Sequence, residues 1–198
     1  YDGIIYVNTT GNDNNDGSPS SPVATVAKAV ELAQGKSGQI IIDEGAYDIE
    51  ATIEITDDLN ISTVGDVVLA GSGADSNKAF FIKSGDVVIS NVTFINFNAT
   101  YSGSVIRVDA GSLVLNSTRF IKNGGENRQA LIQVKNADLT LVNSVFEQNT
   151  AHKTSTNYGN IYLSSSILYV DNCTFKDNFN KYGVFYLGST IATIYNSS

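Results

Sequence analysis

The chain has 198 residues and a formal net charge of −8, with two Pro, one Cys, no Trp and no Met. This length allows one domain with a sizeable core. The acidic charge and the lack of a basic run argue against nucleic acid or an anionic membrane as a partner. No stretch approaches the roughly 18 apolar residues of a membrane span, so we expect no membrane insertion by this part of the protein.

The N-terminal segment is predicted to form a strand, a polar loop and a helix. Residues 1–7 alternate like a strand, and residues 8–22 form a loop rich in Asn, Asp and Ser. Apolar residues at helical spacing predict an amphipathic helix over 23–34, capped by Thr25 and ended by Gly35. This helix would cover the open first coil of a solenoid.

The polar loop contains a possible cation site. Asp13, Asn15 and Asp16, followed by Gly17, place oxygen ligands close together, as Ca²⁺ prefers. The full EF-hand spacing and its terminal Glu are missing. Two interpretations stay open, a calcium site and a turn held by its own hydrogen bonds, and no other cofactor is expected.

A repeat occupies residues 87–175. It consists of four similar lines, VVISNVTF, LVLNSTRF, LTLVNSVF and LYVDNCTF. Their closing residues, Phe94, Phe120, Phe146 and Phe175, are spaced by 26, 26 and 29 residues. A fixed period of this size indicates a repeat architecture.

The period predicts one coil of a parallel β-helix. Apolar residues alternate within each line, which is strand periodicity. A second strand ends five residues before each line, on Ile82, Val108, Val134 or Leu163. The period has room for these two strands and a short third, but not for a helix. Inward positions of successive coils should then stack about 4.8 Å apart.

Polar residues also fall into columns. Val92, Thr118, Ser144 and Cys173 share one inward column, so we interpret the single cysteine as a small core residue and not as a nucleophile. Asn recurs three residues before and three residues after the Phe. We interpret these Asn residues as turn formers that tolerate left-handed backbone and as amides that bond from coil to coil. They are Asn91, Asn143 and Asn172 before the Phe, and Asn123, Asn149 and Asn178 after it.

The predicted fold class is all-β, a single parallel β-helix domain over 1–198 with one N-terminal capping α-helix. Residues 1–38 hold the strand, loop and cap, residues 39–78 the irregular first coils, and residues 79–198 the regular coils. In the first coils the sequence indicates short strands at 39–42 and at Ile53 and Ile55, followed by Leu59, Ile61, Val64 and residues 67–69. The sequence stops soon after a strand-like segment, without a closing element. We therefore expect an open C-terminal end in a longer parent protein.

Two parts of the sequence resemble known families. The opening, IIYVNTTGNDNNDGSPSSPVATVAKAVELA followed by IIIDEGAYDI, resembles the start of many secreted β-helix proteins of the pectate-lyase-like superfamily. The later segments SNVTFINF, NSVFEQN and NCTFKDN, with the strands YGNIYL and YGVFYL, resemble the repeats of adhesin-like surface proteins of methanogenic archaea and are similar to polymorphic outer-membrane-protein repeats. The resemblance implies a right-handed β-helix outside an archaeal cell, in a protein that attaches cells to surfaces or partners.

The expected function is therefore non-catalytic. We expect an extracellular, cell-surface, monomeric adhesin-like module that binds a glycan or protein of another cell through its lateral face. Two alternatives stay open, a carbohydrate-active enzyme (a polysaccharide lyase or hydrolase) on the same fold and a passive stalk. An enzyme should cluster Asp and Arg on one lateral face, a binder should expose tyrosines in a groove, and a stalk should show neither.

Catalytic groups are few. Asp57 and Asp58 are adjacent, and neighbours on a strand point to opposite faces. Arg107 and the other arginines have no obvious acidic partner in the sequence. The single histidine, His152, lies in the loop that carries the three extra residues. The lyase and polygalacturonase motifs of the superfamily are not found in the sequence.

The candidate binding surface consists of outward positions on and beside the second strands. Planar aromatic rings next to Arg, Gln and Asn can stack on sugars or anchor a protein partner. The alternative is that outward Tyr simply suits a strand surface. The candidate ligand-binding residues are Arg107, Gln133, Tyr158, Tyr162, Tyr169, Tyr182 and Tyr186.

Overall fold

The computed structural model describes residues 3–36, 38–72, 77–99, 103–126, 130–152, 159–180 and 182–198. Within these ranges the chain forms one short α-helix and 21 strands, wound into a parallel β-solenoid of about five turns. The helix is α1 (Val26–Ala33), and the strands are β1 (Ile5–Val7), β2 (Gln39–Ile49), β3 (Ile53–Ile55), β4 (Leu59–Gly71), β5 (Phe80–Ile82), β6 (Asp86–Ser90), β7 (Val92–Ile95), β8 (Ile106–Val108), β9 (Ser112–Asn116), β10 (Arg119–Ile121), β11 (Gly124–Glu126), β12 (Ile132–Lys135), β13 (Asp138–Val142), β14 (Val145–Glu147), β15 (Thr150–His152), β16 (Ile161–Ser164), β17 (Ile167–Asp171), β18 (Thr174–Lys176), β19 (Phe179–Asn180), β20 (Phe185–Gly188) and β21 (Ile191–Tyr195).

The strands form three parallel sheets, which we call the long sheet, the six-stranded sheet and the three-stranded sheet. The long sheet holds twelve strands and bends around one corner, because β4 pairs with β6 through its first half and with β7 through its second half. The six-stranded sheet runs β3-β5-β8-β12-β16-β20, and the three-stranded sheet runs β11-β15-β19. The predicted second strands and short third strands are confirmed.

The Phe column sets the register of the core. Phe94, Phe120, Phe146 and Phe175 pair with one another from coil to coil. Their successive ring centroids are 4.7, 4.7 and 5.0 Å apart, and each pair is stacked. These distances match the spacing of neighbouring strands, so the predicted stacking of inward positions is confirmed.

Single residues with left-handed backbone turn the chain at the corners. Asn91, Asn143 and Asn172 lie at the corner between the two faces of the long sheet, with φ of 60°, 53° and 51°. Asn tolerates this conformation better than other residues with a side chain. The predicted turn role of this Asn column is confirmed.

The second Asn column forms a buried amide ladder. Asn149 is fully buried, and its Nδ2 donates to the carbonyl of Phe120 at 2.8 Å and to Asn178 Oδ1 at 2.9 Å. Its Oδ1 accepts from the backbone N–H of Asn123 at 2.9 Å. In the preceding coil Phe97 occupies the column, and its N–H donates to Asn123 Oδ1. The predicted bonding of amides between coils is confirmed. The predicted left-handed backbone is wrong for this column, because the left-handed residue at this corner is the one before each Asn: Lys122, Gln148 and Asp177.

Helix α1 starts later than the predicted 23–34. Val23 is extended because its N–H donates to Tyr6 and its carbonyl accepts from Asn8, in a bridge beside β1. Thr25 is the N-cap as predicted, since its Oγ1 accepts from the N–H of Lys28 at 3.1 Å. Gly35 follows the helix with a φ of 71°. No helix in the described residues has the length and hydropathy to cross a membrane.

The first coils are built from longer strands than the sequence predicts. β2 and β4 run 11 and 13 residues around the corner, whereas the sequence indicates shorter separate strands. Val64, predicted to help form these coils, is 59% exposed at the bend of β4, next to Gly65 with a φ of 75°. The bend turns this side chain away from the core.

Cys173 is a core residue, as predicted. It is 1% exposed and shares its column with Thr118 and Ser144, whose hydroxyl oxygens are 3.0 Å apart. Burial raises the pKa of the Cys173 thiol, which outweighs the lowering effect of hydrogen bonds with the backbone of Ser144 and Asp171.

Candidate functional site

The predicted binding residues meet on the outer face of the six-stranded sheet. Parallel pairing aligns Phe81, Arg107, Gln133, Tyr162 and Tyr186 in one outward column, one residue per coil. They lie between the inward residues of each strand because strand side chains alternate. Four of the seven predicted residues therefore share a column, and Phe81 joins them.

Arg107 is held in place by two neighbours. Its guanidinium lies over the Phe81 ring, 4.7 Å from the centroid. Its Nε and one terminal nitrogen donate to the two carboxylate oxygens of Asp109 at 2.8 and 2.7 Å. Such a bidentate pair fixes the plane of the guanidinium. The sequence-based statement that Arg107 lacks an acidic partner is therefore wrong, since Asp109 lies two residues further along the chain, just after β8.

Gln133 is much more buried than an outward position suggests. The residue is 2% exposed, and within the described part of the chain its side-chain Oε1 has no hydrogen-bond partner. A buried carbonyl oxygen without a partner is costly, typically about 1–3 kcal/mol. The oxygen is itself buried, so a ligand at the surface does not reach it unless neighbouring side chains move.

Tyr162 and Tyr186 form a parallel pair beside Gln133. Their ring centroids are 5.2 Å apart and the interplanar angle is 7°. Each ring covers one face of the other. Because β20 is the last described strand of its sheet, the second face of the Tyr186 ring and the edges of both rings remain for a ligand. Both residues are half-buried.

The other predicted tyrosines do not join this pair. Tyr169 lies on β17 of the long sheet, beyond the left-handed corner at Ser165, and its ring is 6.2 Å from that of Tyr195. Tyr182 is exposed just before β20. Tyr158 lies outside the described residues. The tyrosines therefore divide between two faces of the solenoid.

A lysine that the sequence did not single out lies at the N-terminal side of this face. Lys78 precedes β5, and its backbone N–H donates to Thr52 Oγ1 at 3.0 Å. Burial lowers the pKa of its ammonium group to about 8, and the positive charge of Arg107 lowers it further in the same direction. A lysine that is partly neutral near pH 8 can act as a base or nucleophile. No periodic pattern marks Lys78, because it lies just outside a strand.

The proposed cation loop is held by hydrogen bonds of its own. Asp13 accepts from the backbone N–H groups of Ala24 and Thr25 at 2.9 Å each, and from Thr25 Oγ1 at 2.7 Å. Asn15 donates to the Pro22 carbonyl at 2.8 Å. Asp16 accepts from the N–H of Ser18 in a tight turn. Both interpretations, a calcium site and a hydrogen-bonded turn, require side-chain oxygens in fixed positions. The observed contacts of these oxygens are the hydrogen bonds that the turn interpretation predicts.

The described residues contain no cluster of metal-binding side chains. No group of three or more His, Cys, Asp or Glu side chains there could hold a metal ion. Asp58 Oδ1 accepts from the N–H of Asp86 in the next coil at 2.8 Å, which is a structural contact. The backbone of His152 lies in β15 and pairs with Glu126, so this residue is in a strand and not in the predicted loop.

Comparisons with known proteins place the chain among β-helices. A family model described as "Protein of unknown function (DUF1565)" matches residues 9–196. No curated protein matches the sequence. Among solved structures, the GH136 lacto-N-biosidase from Eubacterium ramulus has a TM-score of 0.51 at 9% identity, over 91% of this chain. This chain spans 45% of that protein. A rhamnogalacturonan lyase also matches, with a TM-score of 0.34 and 13% identity, over 98% of this chain and 67% of that protein. The pectate lyase Pel9A matches with a TM-score of 0.37 and 16% identity, over 98% of this chain and 78% of that protein.

Proposed function

Because the chain belongs to the DUF1565 family, whose description names no activity, we propose its function from the site itself. The proposed role is a non-catalytic, adhesin-like module that binds a glycan through the outer face of the six-stranded sheet. The observation that carries it is the column of Arg107, Gln133, Tyr162 and Tyr186. It places a fixed guanidinium, a buried amide and two phenols within successive coils.

These groups suit a polar ligand with many hydroxyls. Tyrosine hydroxyls and the Arg107 guanidinium offer hydrogen bonds, and the rings offer apolar contact. One solved protein with a similar fold is named a lacto-N-biosidase, and its name makes glycans the first ligand class to test. Display on the outside of a cell and contact with a glycan of another cell are parts of the same proposal.

The first experiment is binding of the whole chain to a broad glycan array, with calcium and with chelator. We expect selective binding that weakens by about tenfold or more in Tyr162→Ala and Tyr186→Ala, which corresponds to about 1.4 kcal/mol. The matched control is Tyr195→Ala, because Tyr195 is exposed on the long sheet. Equal loss in all three variants, or no binding to any glycan, would contradict the proposed site. Loss only with chelator would instead assign binding to a cation-dependent site such as the loop of Asp13.

One observation favours a second candidate function, a polysaccharide lyase. Lys78 has a pKa of about 8 and lies close enough to Arg107 for the two charges to interact. In β-elimination a neutral amine takes the proton next to the uronate carboxyl group, and the glycosidic oxygen leaves as the double bond forms. Incubation with polymeric uronates should then produce the ultraviolet absorbance of unsaturated ends, and Lys78→Met should abolish it. Unchanged polymer length and no new absorbance would exclude this candidate for those polymers.

A further inference from the structure

A cleft of about 710 Å³ lies at the N-terminal end of the solenoid, away from the proposed glycan site. One wall is helix α1 with the residues just before it, and the other is the chain from Ala46 to Glu54. Its floor includes Val30, Ile49 and Tyr47, all at most 5% exposed. The cleft is therefore long, partly apolar and bounded by the first coil.

The wall formed by the first coil is an open strand edge. The second half of β2 pairs with β4 on one side, and β3 pairs only with β5 among the described strands. In later coils, the residues in the column of Ala46 direct their backbone N–H toward the preceding coil. Val145 donates to Thr118 and Thr174 donates to Ser144 in this way. Ala46 shares this column because successive strand pairings align it with Val68, Thr93, Arg119, Val145 and Thr174 in turn.

In the described residues no coil precedes Ala46 and Asp48, so their N–H and C=O groups face the cleft. Among the described strands, β1 pairs with β2 only at Ile40–Ile42, and none pairs with Ala46 or Asp48 on this side. Further along the same edge a side chain fills the gap. The Gln34 side-chain Oε1 accepts from the backbone N–H of Thr56 at 2.6 Å, and its Nε2 approaches the carbonyl of Glu54 at 3.5 Å. The helix thus protects one part of the edge and leaves the part at Ala46 and Asp48 open.

The charge of the cleft selects its occupant. Its described lining contains five carboxylates and no Lys or Arg. The carboxylates are those of Asp13, Glu31, Asp48, Glu50 and Glu54. Lys28 pairs with Glu31 at 2.7 Å and Lys83 pairs with Glu54 at 2.7 Å from outside the lining. Asp48 and Glu50, which flank the open edge, are both exposed. An acidic rim around an apolar floor favours a cationic partner with apolar side chains.

We propose that this cleft is a docking groove for an extended basic segment of a partner protein, which adds as a strand to the edge of β2. Main-chain hydrogen bonds to Ala46 and Asp48 hold the segment, alternate side chains enter the cleft, and its Lys or Arg residues face the carboxylates. This proposal is independent of the glycan site, because it uses the opposite end of the solenoid and none of the same residues.

The probe is a fluorescent ten-residue peptide of alternating Lys and Val, with three comparison peptides. One is N-methylated at alternate residues, one has Glu in place of Lys, and one has the same composition in scrambled order. We expect the alternating Lys peptide to bind by fluorescence anisotropy, and the N-methylated and Glu peptides to bind at least about tenfold more weakly. Backbone amide exchange at Ala46 and Asp48 should slow on binding, because their N–H groups become hydrogen-bonded.

Two double variants distinguish binding in the groove from general attraction between a basic peptide and an acidic protein. Asp48→Lys/Glu50→Lys reverses two charges at the groove and should weaken binding at least about tenfold. Asp66→Lys/Asp177→Lys makes the same change in net charge at exposed positions outside the cleft and should change binding by less than about twofold. Equal weakening in both variants, or equal binding of the N-methylated peptide, would overturn the proposal. So would a failure of the alternating peptide to bind at low ionic strength.

Discussion

Removal of one amide from the buried Asn ladder gives a direct test of what holds the coils together. In Asn149→Ala the backbone carbonyl of Phe120 and the backbone N–H of Asn123 both lose a partner that now lies at 2.8 or 2.9 Å. Asn149 is fully buried. Each buried polar group left without a partner costs about 1–3 kcal/mol, so we expect a loss of about 2–6 kcal/mol in the free energy of unfolding. A water molecule in place of the amide would give the low end of this range.

The matched control is Asn143→Gly. Asn143 is exposed at a left-handed corner, and Gly keeps its φ of 53° without strain. It loses only exposed amide contacts, one to Asn116 at 3.4 Å and one from Asn172 at 2.8 Å. We therefore expect a cost below about 1 kcal/mol.

Urea denaturation followed by far-ultraviolet circular dichroism measures both variants. Repeat folds can unfold in parts, so amide exchange at Asn123 is measured alongside to report local opening. The ladder argument is refuted if Asn149→Ala loses no more stability than Asn143→Gly and leaves exchange at Asn123 unchanged.

Three further predictions concern titratable groups. Burial raises the pKa of Asp13, but hydrogen bonds from Thr25 and Ala24 outweigh it and the pKa lies below 3.8. Its contribution to stability is therefore present above pH 3.8 and lost as pH falls below that value, and Asp13→Asn should flatten this part of the acid denaturation profile. Lys78 behaves differently, because burial holds its pKa at about 8 in the folded protein, below the ordinary 10.5. Between pH 8 and 10.5 the unfolded chain therefore binds more protons than the folded one, so the free energy of unfolding should rise with pH. This rise should disappear in Lys78→Met. Cys173 is 1% exposed and its pKa is raised, so it should resist a thiol reagent in the native protein and react once urea unfolds the chain; reaction at the same rate in both states would contradict its burial.

The repeat made the core predictable. Residues 26 apart with alternating polarity can stack only if each period is one coil, so the Phe column and the Asn columns follow from spacing. The Thr25 cap also follows from local chemistry, since the cap satisfies N–H groups within its own first turn. The start of helix α1 did not follow, because Val23 pairs with β1, which lies far away in the sequence.

The candidate site was predictable only in part. Register aligned Arg107, Gln133, Tyr162 and Tyr186 correctly, because these positions share the period. The exposure of each residue was not predictable, and Gln133 is buried although its position is outward. The corners between strands also decided which tyrosines share a face. The chain turns at the left-handed residue Ser165, so Tyr169 lies on a different sheet from Tyr162.

The sequence by itself determined the coil, the inward columns and the capping helix, because these depend on periodicity and on contacts between equivalent positions. Only the tertiary structure decided which polar groups meet across different columns. The charge interaction of Arg107 with Lys78 and the acidic cleft beside the open edge of β2 both depend on how the corners orient the strands. Such contacts have no period in the sequence, because they join residues that occupy different positions within the coil.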